Sequence, residues 1–306
     1  MSDKTYPFNP ATDIPNLSGK VIFITGANTG LGKASALELA KHNPAQVWVT
    51  ARDAAKGESA TDEIRSAASE GTSVCFLQLD LSSFDSIKSA AQKFTAASQR
   101  LDILYLNAGV FGCPAGLTRD GYEIQMGINH VGHALLLKLL APTLARTAKQ
   151  HGDARAISLS STGYKFLTKP IPFDKLRTID APIEAIDRYM QSKLANLLYA
   201  REAAKHYTDF TVVSLHPGEV MTELYAREAG DERVRMLQTQ VAPVKTGPVS
   251  EGVKSQLWAA AAPGLKSGTY YEPVGVEAVV ENLGTDDETA KKLWEWTQQE
   301  LKDHEL

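Results

Sequence analysis

The stretch "RYMQSKLANLL", Arg188 to Leu198, sets a tyrosine four residues before a lysine. On an amphipathic helix that spacing stacks two side chains on one face, so the Tyr189 phenol and the Lys193 ammonium can share a site. A free phenol ionises near pH ~10, too high for an efficient proton carrier at neutral pH, and a nearby cation lowers that value. The pair can therefore act as a general acid and base on a substrate oxygen; two solvated residues on a helix surface would show the same spacing.

A second constellation lies near the start of the chain. In "VIFITGANTGLGKASALELA", Gly26, Gly30 and Gly32 fall where an apolar run turns into a helical pattern, with Asn28, Thr29 and Leu31 between them. Glycines there permit a tight turn and let a pyrophosphate approach the backbone N–H groups at the positive end of a helix. The G-x-x-x-G-x-G spacing departs from the common dinucleotide fingerprint, and a purely structural turn would also use it. Nucleoside triphosphate chemistry is disfavoured, because Lys33 is followed by Ala34 and not by a serine or threonine.

Further candidates sit at strand tips. The run "VTARD" ends with Arg52, which can neutralise a ribose 2'-phosphate and stack on adenine, whereas an acid there would accept from a free 2'-hydroxyl. NADP is favoured over NAD on this ground, although Arg52 also reads as a solvated charge at a helix start and Asp53 as its N-cap. Asp80, in "LQLDLSS", can accept from an adenine amino group or cap the next helix. In "LYLNAG", Asn107, Ala108 and Gly109 are small enough to let a cofactor lie against the backbone.

These residues need elements to hold them. Strands are expected at 20–25, 46–51, 74–80, 102–107, 155–161, 210–216 and 268–273, all rich in β-branched and aromatic residues. Helical patterns at 30–42, 54–70, 83–99, 121–150, 187–206 and 247–262 alternate with them, and a last helix is expected at 286–303. The alternation predicts an α/β fold: a Rossmann-type doubly wound parallel sheet of seven strands in a single domain, with helices on both faces. The whole chain, 1–306, is read as that domain, with an N-terminal arm at 1–18, a substrate-loop region at 217–246 and a C-terminal helical extension at 274–306. Segments 111–120, 164–186 and 217–246 are expected to be irregular, as binding loops and lids often are.

Composition narrows the function. A formal charge of -4 argues against broad nucleic-acid binding, and the apolar run "HALLLKLLAPTLA" is too short and too interrupted by Lys138 and Pro142 to span a membrane. Cys75 and Cys113 have neither metal-ligand spacing nor a disulfide pattern, and no metal is expected. The N-terminus has no apolar signal region, so a cytoplasmic setting is expected. Trp294 and Trp296 are expected to pack on the domain or on a second copy, and His130, His133 and His216 to be core or backbone-bonded histidines.

Taken together, "TGANTGLG", "NAG" at 107–109, Asn129 in "INHVGH", "SLSS" ending at Ser161, "YMQSK" at 189–193 and "HPGEVMT" at 216–222 resemble the short-chain dehydrogenase/reductase family along nearly the whole chain. More narrowly the chain looks like the retinol-dehydrogenase and carbonyl-reductase-like branch, especially its soluble fungal members, where the "TARD" tip goes with NADP. The resemblance implies strand order 3-2-1-4-5-6-7 and, in many members, homo-oligomers. It implies that Tyr189 exchanges a proton with the substrate oxygen and that Lys193 lowers the phenol pKa and holds the nicotinamide ribose. Ser161 would bind the same substrate oxygen, and Asn129 would complete a water-linked proton path past Lys193. Val220 and Thr222 would meet the nicotinamide carboxamide, with Pro217 and Gly218 binding the cofactor beside them. Asn129 also reads as a helix cap or kink, and Val220 and Thr222 as loop anchors. The long segment between Ser161 and Tyr189 is expected to shape the substrate mouth together with 223–246. The function expected is an NADP(H)-dependent carbonyl reductase or alcohol dehydrogenase for a largely apolar, medium-to-large substrate. A non-redox epimerase, dehydratase or cyclase on the same scaffold, or a non-catalytic NADP sensor, are the other readings.

Overall fold

Runs of β-branched and aromatic residues become strands, and the central ones are buried on both faces, which is why they read as nearly continuous apolar segments. The computed structural model describes residues 7–180, 182–226 and 228–306. Its strands are β1 (Val21–Ile24), β2 (Gln46–Ala51), β3 (Ser73–Gln78), β4 (Ile103–Leu106), β5 (Arg155–Leu159), β6 (Thr211–Leu215), β7 (Tyr270–Glu272) and β8 (Val276–Glu277). They form one sheet in the order β3-β2-β1-β4-β5-β6-β7-β8, parallel from β3 to β7. The order expected from the sequence holds through the seventh strand.

The eighth is a correction to the seven-stranded expectation. Gly275, at φ 70°, reverses the chain after β7, and Val276–Glu277 pairs antiparallel with Tyr271 and Glu272. Two residues are too few to show an alternating pattern, so this strand lay hidden in what read as a helical extension.

The main helices are α1 (Gly30–Leu39), α2 (Ala54–Ala67), α3 (Phe84–Ala97), α4 (Gly132–His151), α5 (Ala185–His206), α6 (Val249–Ala261) and α7 (Asp287–Glu300). The period-two alternation of the strands sends Phe23, Leu104 and Leu106 to one face, where they meet α3, α4 and α5, and Ile22, Ile24 and Ile103 to the other, against α1 and α6. Two apolar layers thus sandwich the sheet. Helix α7 lies on α5, with Trp294 stacked on Tyr199 at 5.2 Å and on His206 at 4.2 Å, while Trp296 packs edge-on against Tyr122 and Phe173. Both tryptophans are structural, as expected.

The N-terminal arm is described from residue 7 onward; the rest of the 1–18 expectation lies outside the described residues, as do Ala181 and Arg227 in the two long connections. Phe8, Ile14 and Leu17 are buried, and Asn9 caps a helical turn at Pro10–Asp13. The 217–246 connection is not irregular throughout. It contains Glu232–Met236, capped by Asp231, then a π-helical turn at Leu237–Val241 and a short helix at Ala242–Lys245. Elements this short carry too few residues for a helical period to stand out.

Candidate active site

The strand tips β1, β2, β4 and β5 and the start of α1 surround a cleft of about 600 Å³. Gly26, Asn28, Thr29, Gly30, Leu31, Gly32, Arg52, Asp80, Asn107, Ala108, Gly109, Tyr189, Lys193, Pro217 and Thr222 all line it. Gly218, Val220, Asn129 and Ser161 lie beside it and not in its wall.

The glycine loop is built for close approach. Gly26 has φ 66°, and a Cβ there would lie 2.9 Å from the Ala108 Cβ and 3.0 Å from its Cα. Gly30 has φ 56°. A Cβ on Gly32 would sit 2.5 Å from both the Asn107 Nδ2 and the Gly26 carbonyl oxygen. The Asn107 amide is spent on this loop: Nδ2 donates to the Thr25 carbonyl at 2.8 Å, and Oδ1 accepts from Gln256 Nε2 at 2.9 Å. Asn107 therefore shapes the cleft through the loop it clamps, with its side chain already committed.

At the far end, Arg52 is exposed and forms no ion pair among the described residues, whereas Asp53 accepts from the Lys56 N–H at 2.9 Å as the N-cap of α2. Both residues line the cleft, but the acid is engaged by the helix and the arginine carries no ion pair among the described residues. Lys56 lines the cleft as well. Asp80 folds back on Ser82, accepting from its N–H at 3.0 Å and its hydroxyl at 2.7 Å, while Ser83 caps α3.

At the other end Tyr189 and Lys193 stand on α5, the Lys193 Nζ lying 5.6 Å from the Tyr189 ring centre. The Lys193 Nζ donates to the Leu159 carbonyl at 3.1 Å, and burial pulls its pKa down to about 8. Burial pushes the Tyr189 phenol up; the charge of Tyr225 adds to this, and a hydrogen bond with Ser161 opposes it. Burial is the largest influence on the phenol, so the lowering expected from Lys193 does not bring it below its ordinary range in this structure.

Of the two serines, Ser160 lines the cleft but gives its hydroxyl to the Lys193 carbonyl at 2.7 Å. Ser161 is left as the partner of the phenol, and its Oγ also accepts from the Gly163 N–H at 3.1 Å. Asn129 lies in a π-helical turn, Gly127–Val131, that leads into α4. Its side chain is consumed by Val110 (Oδ1 from N–H, 2.8 Å; Nδ2 to the carbonyl, 3.0 Å) and by Ser192 Oγ at 2.9 Å. Any part it takes in proton movement falls to its backbone carbonyl.

Val220 is held by a bridge to Gly247 and by Gly252, where a Cβ would come within 2.1 Å of its Cγ2. Thr222 meets Gly30, at 3.4 Å from where a Cβ would stand. His130 Nε2 pairs with Thr297 Oγ1 at 3.1 Å, and His216 Nε2 approaches Thr162 Oγ1 at 3.5 Å, both as buried core histidines.

Sequence reasoning missed Thr25, the hub at the tip of β1. Its Oγ1 accepts from the Asn107 N–H at 2.8 Å and the Ala108 N–H at 2.9 Å, joining β1 to β4 under the cleft. A hydroxyl immediately before the first loop glycine was the available signal. Of the long insertion after Ser161, Leu167, Ile171 and Leu176 are buried, and Arg177 reaches Glu300 on α7 at 2.5 Å.

The glycine cradle thus fits a dinucleotide, the Arg52 end fits its adenosine half, and the Ser161, Tyr189 and Lys193 end can exchange a proton. A dinucleotide-binding oxidoreductase is the class these features define. The short chain dehydrogenase model matches residues 20–166. The chain is 39% identical over 283 residues to retinol dehydrogenase 12 of Homo sapiens, covering 91% of this chain and 85% of that one. It is 33% identical over 317 residues to a short-chain dehydrogenase/reductase of Armillaria gallica, covering 99% and 98% of the two chains. A solved structure of an uncharacterised protein from Mycobacterium paratuberculosis superposes with a TM-score of 0.76 at 28% identity, covering 96% of this chain and 97% of that one. The chain belongs to the short-chain dehydrogenase/reductase family, in its retinol-dehydrogenase-like branch, and is an oxidoreductase that uses a nicotinamide cofactor. Among the described residues no helix is long and apolar enough to cross a membrane.

Proposed function

We propose that the protein is an NADP(H)-dependent carbonyl reductase or alcohol dehydrogenase acting on a largely apolar, medium-to-large substrate. The observation that carries this reading is one cleft lined by Arg52, the glycine loop, Tyr189 and Lys193. NADP is preferred because Arg52 is exposed without an acid partner among the described residues while Asp53 is held by its helix.

When bound, the reduced nicotinamide supplies hydride to the carbonyl carbon. The Tyr189 hydroxyl gives its proton to the carbonyl oxygen, so the carbonyl gains one hydride and one proton and becomes the alcohol. Ser161 orients that oxygen by hydrogen bonding. Lys193, anchored on the Leu159 carbonyl, presents its charge to the phenolate left behind and would hold the nicotinamide ribose. Oxidation runs the same transfers backwards.

An apolar substrate is supported by the surroundings of the phenol. The Phe111 ring packs edge-on against Tyr189 at 4.7 Å and lies 5.0 Å from Tyr225, and Ile128 and Leu224 line the adjoining wall. The kinship to an enzyme named for retinol points the same way. A cytoplasmic setting belongs to this reading, and Cys75 and Cys113 form no disulfide.

The test is oxidation of NADPH and NADH, followed at ~340 nm, with a panel of aldehydes, ketones and quinones. NADPH-dependent turnover is expected, with Tyr189→Phe losing at least ~100-fold, the range of general acid catalysis, while still binding NADPH. Unchanged turnover in Tyr189→Phe would refute the mechanism. Arg52→Ala should weaken NADPH roughly tenfold or more and leave NADH nearly unchanged, as loss of a charge-assisted bond to phosphate does; an equal effect on both cofactors would remove the 2'-phosphate role.

A further inference from the structure

His133 lies at the start of α4, next to the π-helical turn that carries Asn129, and is only 3% exposed. Both ring nitrogens are used. Nδ1 lies 3.0 Å from the Asn129 carbonyl oxygen and Nε2 lies 2.9 Å from Thr25 Oγ1. A carbonyl can only accept, so Nδ1 carries the proton, and the neutral ring then accepts at Nε2 from the Thr25 hydroxyl. That hydroxyl in turn accepts from the Asn107 and Ala108 N–H groups. One imidazole therefore connects the Asn129 carbonyl to the tips of β1 and β4.

The local backbone explains why such a link is needed. In the π-helical turn the Gly132 N–H reaches back five residues to the Gly127 carbonyl, so the regular ladder is broken around Asn129. The Asn129 amide is already shared between Val110 and Ser192, which fixes the side chain and leaves the carbonyl to be held separately. Gly109 lies between this turn and the catalytic lysine: a Cβ there would be 3.2 Å from the Asn129 Oδ1 and 3.8 Å from the Lys193 Nζ.

We propose that His133 is a positioning residue, donating from Nδ1 to the Asn129 carbonyl and so fixing the backbone of the turn that flanks Lys193. The inference rests on the reading of Tyr189 and Lys193 as the proton-transfer pair. The two bonds are not equivalent in this role. Thr25 Oγ1 is also 3.1 Å from the Tyr105 carbonyl, so its proton has a second acceptor if the imidazole is removed. Replacing the imidazole without a donor at the Nδ1 position removes the side-chain hydrogen bond from the Asn129 carbonyl. Burial lowers the His133 pKa, the bond to the Asn129 carbonyl opposes this, and the Lys193 charge adds to the lowering; His133 in turn lowers the neighbouring His130.

Two variants separate positioning from packing. In His133→Asn the amide nitrogen takes the place of Nδ1 and keeps the donor to Asn129; in His133→Gln the amide extends toward Thr25 and the near donor is lost. With the best carbonyl from the panel, His133→Asn should keep kcat within about threefold, and His133→Gln should lose about tenfold or more, both binding NADPH as the unsubstituted protein does. Equal kcat in the two variants, or a loss that tracks their melting temperatures, overturns the proposal. An independent readout needs no substrate: ¹⁵N-edited NMR of the histidine rings in the cofactor-free protein should show His133 as the neutral Nδ1–H tautomer at pH ~6 to 8. The Nε2–H tautomer, or a proton uptake within that window, also overturns it. Persistence of turnover in Tyr189→Phe would instead bring down the reading of the site while leaving the tautomer result standing.

Discussion

Replacing Lys193 by methionine tests the electrostatics of the site in the cofactor-free protein. Lys193 is 5% exposed, and burial takes its pKa from 10.5 to about 8. A folded-state value below the unfolded one means that the unfolded chain binds more protons between those two pH values, so this group's contribution rises with pH across that window. Below pH about 8 the buried charge carries its full penalty, and the penalty disappears as pH climbs through about 8 toward 10.5. The difference of about 2.5 pH units corresponds to about 3 kcal/mol at pH ~7, falling to about 1 kcal/mol at pH ~9.5. Lys193→Met removes the titration and keeps the length of the side chain. Its stability advantage over the unsubstituted protein, measured by urea unfolding, should therefore shrink by about 2 kcal/mol between pH ~7 and ~9.5. The lost bond to Leu159 lowers the advantage at every pH without changing its slope. The buried tyrosines titrate in both proteins and cancel to first order. A difference that stays constant over this range would refute the depressed lysine.

Two further substitutions probe the walls of the cleft. In Gly32→Ala the new Cβ would meet Asn107 Nδ2 and the Gly26 carbonyl at 2.5 Å, an overpacking that costs about 1–3 kcal/mol and pushes the glycine loop out of register; NADPH titration should show affinity falling by about tenfold or more, and unchanged affinity would mean that the loop yields freely. Asp231 accepts from the Val234 N–H at 2.9 Å and from the Ala185 N–H at 2.7 Å, tying the loop helix to the first turn of α5. Asp231→Ala should cost about 1–2 kcal/mol, the value of a lost cap and its second bond, and should raise the substrate KM more than that of NADPH; equal changes in both would show that the loop serves the whole cleft.

The parts of the fold legible in sequence are those whose determinants are local. A strand-to-helix turn needs glycines at fixed positions, and Gly26 and Gly30 have positive φ where the motif placed them. Tyr189 and Lys193 are one turn apart on a single helix, so their proximity followed from spacing alone. What stayed hidden depends on contacts distant in sequence. Thr25 and His133 are 108 residues apart and meet only because β1 and the start of α4 converge. Similarly, Gln256 reaches Asn107 across 149 residues from α6. No periodicity marks such polar residues, because each is buried by virtue of one partner and not by a face it shares with neighbours.

The same distinction applies to the acid–base pair. Spacing puts Tyr189 and Lys193 together, but burial decides their charge, and it acts on both toward the neutral forms: the phenol is pushed up and the ammonium down to about 8. On the reading proposed above, a phenol held protonated suits reduction, which needs a proton to give. Oxidation needs the phenolate, and a positive charge close to the ring stabilises it. Lys193, with its Nζ 5.6 Å from the ring centre and bonded to Leu159, offers that charge fully only below its own pKa of about 8. Raising pH thus favours loss of the phenol proton while discharging the cation that supports the phenolate. The two effects oppose each other, so the pH dependence of alcohol oxidation should flatten above pH about 8 and not rise tenfold per unit as an isolated phenol would.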